Sequence, residues 1–87
     1  VANNVVAFSA ATGNQNWVQI TSIPVIASCT VLSLSSNSAD VQIRYDGGTA
    51  VWLSPGQSID LERVDLSLLE TKGGGVGGKL TVIGGSW

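Results

Sequence analysis

The sequence predicts an all-β domain, a small antiparallel β-sandwich of seven or eight short strands. Three observations carry this reading. β-branched residues dominate the apolar positions, and those positions alternate instead of recurring at helical spacing. Clusters of Gly, Pro, Asn, Asp and Ser interrupt the chain at roughly 8–12-residue spacing, as in a sandwich or barrel. At 87 residues the chain is long enough for one domain and no more. Two sheets packed face to face, with jelly-roll-like connections, are expected, and a small barrel is the runner-up.

The elements follow in order. "NVVAF" (residues 4–8) reads as the first strand, and "SAATGNQN" (9–16) as a polar loop. "WVQITSI" (17–23) alternates, with Trp17, Gln19 and Thr21 on one side and Val18 and Ile20 on the other. Pro24 then marks an edge or a bend. "SCTVLSLSS" (28–36) alternates from Thr30, with Leu32 and Leu34 sharing a face, and "NSAD" (37–40) is a turn. In "VQIRYD" (41–46), Val41, Ile43 and Tyr45 point inward, and Gln42, Arg44 and Asp46 outward.

Asp46-Gly47-Gly48 is a hairpin signal, because positive φ costs glycine little. "TAVWLS" (49–54) returns, with Val51 and Leu53 directed to the core and Trp52 away from it. Pro55-Gly56 fits the centre of a type II turn. "SIDLE" (58–62) places Ile59 and Leu61 on one face, against Ser58, Asp60 and Glu62. "VDLSLLETK" (64–72) aligns Val64, Leu66 and Leu68, and is either a strand or a short helical turn. Glycines at 73, 74, 75, 77 and 78 predict a flexible loop, and "KLTVIGG" (79–85) is the last strand. The whole chain, 1–87, reads as one domain, with residues 1–16 as an N-terminal arm and 84–87 as a C-terminal tail.

Composition bears on partners. A domain this small has a thin core and usually adds a disulfide, a metal or another subunit. Cys29 is the only cysteine, which excludes an internal disulfide, and there is no His to serve as the commonest zinc ligand. Association with other copies is the remaining reinforcement. Charged residues make up 11% of the chain, against about 25% in an ordinary soluble domain, while apolar residues reach 44%. Part of that apolar excess is read as interface. The competing explanation is a surface of Ser, Thr, Asn, Gln and Gly. The four cationic residues, Arg44, Arg63, Lys72 and Lys79, are scattered and the net charge is −2, which argues against nucleic-acid binding. No apolar run approaches the roughly 20 residues of a membrane-spanning helix.

Chemical motifs are weak. "GGGVGGKL" (73–80) matches the G-x-x-x-x-G-K frame of a phosphate-binding loop, but Leu80 stands where the Mg²⁺-binding hydroxyl belongs, and a strand follows in place of a helix. Asp60 and Glu62 share a strand face with Asp65 nearby. They lack both a Ca²⁺ loop and a cleft for paired-carboxylate hydrolysis, so a solvated face beside Arg63 is the better reading. Without His, Ser-His and Cys-His nucleophiles are excluded. Cys29, in an apolar strand, reads as a small buried hydrophobe. No catalytic, cofactor or metal residue is expected, and the chain is read as non-enzymatic.

Trp17, Trp52 and Trp87 remain. Tryptophans anchor protein interfaces and also stack on sugars. Trp52 either faces outward, toward water or a partner, or fills one end of the sandwich. Trp87, after Gly-Gly-Ser, is expected to dock on a neighbouring subunit. Together with Val1 and Val5 of the N-terminal arm, the three tryptophans are the candidate partner contacts.

The stretches "VQIRYDGGTAVWLSPGQSIDL", "VDLSLLETKGG" and "KLTVIGG" resemble small β-rich virion proteins of tailed bacteriophages. The resemblance covers about half the chain and implies a head decoration, or cement, protein. Such a protein is made in the host cytoplasm and sits on the capsid surface of the virion. It would bind the major capsid protein as a homo-oligomer, with a trimer favoured, and strengthen the shell by repeated weak contacts. The alternatives are a carbohydrate- or receptor-binding β-sandwich module, or a phage tail or baseplate component.

Overall fold

The structure, a computed structural model, describes residues 5–11, 16–76 and 78–86, without the side chains of 9–11. Eight strands occur among them: β1 (Val5–Ala11), β2 (Val18–Gln19), β3 (Ile26–Ser33), β4 (Val41–Tyr45), β5 (Val51–Leu53), β6 (Ser58–Asp65), β7 (Leu69–Gly73) and β8 (Lys79–Ser86). A single 3-10 turn, Leu66–Leu68, separates β6 from β7.

The strands form two four-stranded antiparallel sheets. One has the order β1-β8-β3-β6 (sheet A) and the other β2-β7-β4-β5 (sheet B). The pairs 1–8, 2–7, 3–6 and 4–5 are those of one long hairpin, and rolling it up adds 8–3 and 7–4. This is the eight-stranded jelly roll. The expected sandwich is therefore the observed fold, with jelly-roll connections.

Alternation builds the core. Val41 and Ile43 of β4, Leu53 of β5, Leu69 of β7, and Leu80 and Val82 of β8 are buried between the sheets. They meet Ala27, Cys29 and Val31 of β3, with Leu66 of the 3-10 turn. Phe8, Ile59, Leu61 and Val64 close the sides. The inward face of β3 thus carries its small residues, and Leu32 faces outward.

β8 approaches β3 closely enough that a Cβ on Gly84 would lie 2.6 Å from Cys29 Cα and closer still to the Ser28 carbonyl oxygen. Opposite Ser28, β6 gains one residue. Ala27 pairs Val64, whereas Cys29 pairs Leu61, so Glu62 and Arg63 together face Ser28. Arg63 has φ 51°, and its N–H donates to Ser28 Oγ at 3.3 Å. This bulge shifts the inward phase from Ile59 and Leu61 to Val64 and Leu66.

The turns behave as their sequences require. Asp46 and Gly47 both have positive φ (51° and 70°), and the Gly48 N–H donates to the Tyr45 carbonyl at 2.9 Å, forming a type I′ turn. Gly56 has φ 88°, and the Gln57 N–H donates to the Ser54 carbonyl at 2.9 Å, as in a type II turn.

Several expectations change. The strand expected over 17–23 pairs only at Val18–Gln19, because the chain bends at Ile20 and again at Ser22 and Ile23, where Thr21 Oγ1 accepts the Ile23 N–H. Tyr45 does face the opposite sheet as expected, but at the rim, where it is 39% exposed and its hydroxyl crosses to sheet A to accept the Asp65 N–H at 2.9 Å. Val51 is 44% exposed because β5 is a three-residue edge strand that leaves it at the rim. Residues 64–72 are strand, 3-10 turn and strand in succession, and Leu68 points outward while Leu66 is fully buried.

The glycine segment is held by hydrogen bonds where it is described. The Gly74 N–H donates to Asp40, the Ser38 N–H to Gly74, and the Gly78 N–H to Gly75. A Cβ on Gly73, where φ is +92°, would sit 2.8 Å from the Asp40 carbonyl oxygen. The segment is a tight cap on the 37–40 turn, not a loose loop. Buried Asn37 fastens that turn to β8: its Nδ2 donates to Ser33 Oγ (3.1 Å) and the Lys79 carbonyl (2.8 Å), and its Oδ1 accepts the Lys79 N–H (2.8 Å).

Candidate functional site

The two outer sheet faces differ in chemistry. On sheet B, Gln42 pairs with Lys72 on one side and Trp52 on the other, while Arg44 pairs with Glu70. Val18 pairs with Thr71, so Trp17, one residue earlier, falls beside Lys72. One cross-strand row therefore reads Trp17, Lys72, Gln42, Trp52. Trp17 is half-buried: the Arg44 guanidinium lies 4.2 Å and the Lys72 ammonium 4.9 Å from its ring centroid. Arg44 Nε also donates to Glu70 Oε1 at 2.8 Å, which fixes the guanidinium over the ring. Trp52, at the other end of the row, is 60% exposed.

On sheet A, the outward residues are mostly apolar or hydroxylic. Val5 of β1 is 81% exposed, Ile83 of β8 53%, and Leu32 of β3 36%. Ile83 pairs with Ala7 and Thr30, so Val5 and Leu32 are its diagonal neighbours and the three form one oblique line. Beside it lies a shallow depression of about 470 Å³, with Ser28, Thr30, Asp60, Glu62 and Ile83 in its lining.

Asp60 in that depression accepts a hydrogen bond from Thr30 Oγ1 at 2.6 Å. Asp65 lies apart, accepting the Ser67 N–H and hydroxyl at the start of the 3-10 turn. The three neighbouring acids of the sequence are thus not one cluster. Among the described residues, no group of three or more His, Cys, Asp or Glu could hold a metal ion. Cys29 is buried, and its thiol is pushed above the ordinary value of 9.0 by desolvation first and the Asp60 carboxylate second. A thiol so protected is a poor nucleophile. Lys79 of the glycine-lysine frame opens β8, and its backbone is engaged by Asn37.

Of the expected partner contacts, Trp17 and Trp52 share the outer face of sheet B, and Val5 lies on sheet A. Val1 and Trp87 lie outside the described residues. The N-terminal arm expected over 1–16 is, over residues 5–11, an edge strand paired with β8, and 84–86 of the expected tail belong to β8 itself. Ile83, Leu32 and Lys72 were not singled out from the sequence. Alternation assigns each to a face, but only the pairing of β8 with β1 and β3, and of β7 with β2 and β4, makes neighbours of them. No family model matches the chain, and neither a curated protein nor a solved structure matches it.

Proposed function

We propose that this chain is a non-enzymatic structural virion protein of the head-decoration type. It binds the outer capsid surface through sheet A and stabilises the shell as a homo-oligomer, with a trimer favoured. The carrying observation is the exposed oblique line of Val5, Ile83 and Leu32, which leaves β-branched and leucine side chains in water on an otherwise well-alternating sandwich. The depression beside it offers a socket for a protruding side chain of the capsid protein. Jelly rolls also build viral capsid and lectin domains, a parallel at the level of fold alone. A decoration protein performs no bond chemistry. Its work is contact area repeated over the shell.

Light scattering on the purified chain, together with co-sedimentation on shells stripped of it, tests the reading. A symmetric oligomer that saturates the shells is expected. A stable monomer that stays in the supernatant would overturn it.

A further inference from the structure

We propose that the outer face of sheet B is a binding site for an oligosaccharide carrying an anionic group. The site uses the opposite face from the capsid contact and stands whether or not that contact exists.

Its frame is the row Trp17, Lys72, Gln42, Trp52. Three strand spacings separate the backbone positions of Trp17 and Trp52, roughly 14 Å at the usual ~4.8 Å between strands, and the Trp17 ring leans along the row over Lys72 and Arg44. That is the span of several linked pyranoses, not of one. Trp52 is 60% exposed on the edge strand β5, with its ring open to the C–H face of a sugar. Arg44 and Lys72 both lie against the Trp17 ring, so a ligand meets an indole already oriented and loses less on binding. Between the rings, the Gln42 amide offers donors and an acceptor to sugar hydroxyls.

Charge selects the ligand further. Two of the chain's four cationic residues stand on this face, although the whole chain is acidic. Glu70 engages Arg44 at 2.8 Å, which leaves the excess positive charge at Lys72, inside the row. A carboxylate or sulfate on the sugar fits there. A single-stranded nucleic acid would also stack on the rings, but it needs a basic groove along its backbone, and one excess charge does not make one. A protein partner is less well matched, because polar groups separate the two rings and break up the apolar patch that an interface core requires.

An array of neutral, uronate-bearing, sialylated and sulfated oligosaccharides tests the site, followed by tryptophan-fluorescence titration with the strongest hit. Trp52→Ala and Lys72→Gln are the variants, each checked for an unchanged melting temperature. Expected are saturable binding to acidic oligosaccharides, a loss of roughly tenfold in Trp52→Ala, and equal affinity for acidic and neutral sugars in Lys72→Gln. The proposal is overturned by an array without a saturable hit, by a hit that Trp52→Ala leaves intact, or by a thymidine oligonucleotide binding at least as tightly as any sugar.

Discussion

Replacing Val5 and Ile83 together with threonine separates the capsid contact from the fold. Threonine keeps the β-branch, so the strand preference of β1 and β8 is retained. Full burial of a Val or Ile side chain contributes about 1.5–3 kcal/mol. Val5 is 81% exposed and Ile83 53%, so four-fifths of the first and half of the second remain to be gained on docking. Exchanging both for threonine forfeits most of that, about 2 kcal/mol per subunit, or roughly thirtyfold in Kd. Presentation as an oligomer multiplies the loss over the copies engaged at once.

The assay is co-sedimentation with stripped shells over a range of protein concentration, with a urea melt of each protein beside it. The melt should move by no more than about 0.5 kcal/mol, since both side chains are largely outside the core. Unchanged shell affinity with an unchanged melt would show that sheet A is not the contact face, and the reasoning from its exposed line would fail.

Other perturbations probe the scaffold. Asn37→Ala removes three hydrogen bonds and leaves the part-buried Lys79 N–H without its acceptor, so a loss of about 3 kcal/mol in a urea melt is expected, and less than 1 would refute the clamp. Gly84→Ala drives a methyl into the backbone of Ser28 and Cys29, neither of which can yield as a side chain would, so a drop of at least about 2 kcal/mol, or roughly 8–16 °C in Tm, is expected by calorimetry. Folding holds the Cys29 proton beyond its ordinary value of 9.0, so this thiol costs nothing below that pH, and stability falls as pH rises past it and the unfolded chain ionises first. Urea midpoints at successive pH values should show that fall in the native protein and a smaller one in Cys29→Ala.

Much of the fold was legible because the strands are amphipathic and their turns are specific. Val41, Ile43, Leu53, Ile59 and Leu61 were placed by alternation alone, and both tight turns by their glycines. The parity change from Ile59 and Leu61 to Val64 and Leu66 was also in the sequence. It reads as two strands until the pairing with β3 reveals one strand with a bulge. The glycine segment misled, because composition reports the freedom of the unfolded chain, whereas Gly73 and Gly75 are required by close approach to the 38–40 turn. The candidate site was half legible. Trp52 was assigned outward from its neighbours, but its alignment with Trp17 depends on β7 lying between β2 and β4, and no local pattern encodes that order.

The sheet edges argue for where a second subunit would join. An unpaired strand edge is a template for another chain, and natural sheets blunt it with short strands, bulges or charge. Sheet B ends in β2, two residues long, and β5, three residues long. On sheet A, β6 carries Asp60, Glu62 and Arg63, and bends at its bulge. β1 is different. It runs seven residues, pairs with β8 alone among the described strands, and shows no break in register. Its described side chains carry no charge, and Val5, the most exposed of its large apolar groups, sits on the same outer face as Ile83. Two copies meeting along β1 would join their sheet A faces side by side and merge the apolar lines into one surface. That two-fold contact closes as a dimer, so a dimer in place of the favoured trimer is the light-scattering result that would mark β1 as the seam. Each copy would then enlarge the area offered to a shell while leaving the tryptophan row of sheet B turned away from it.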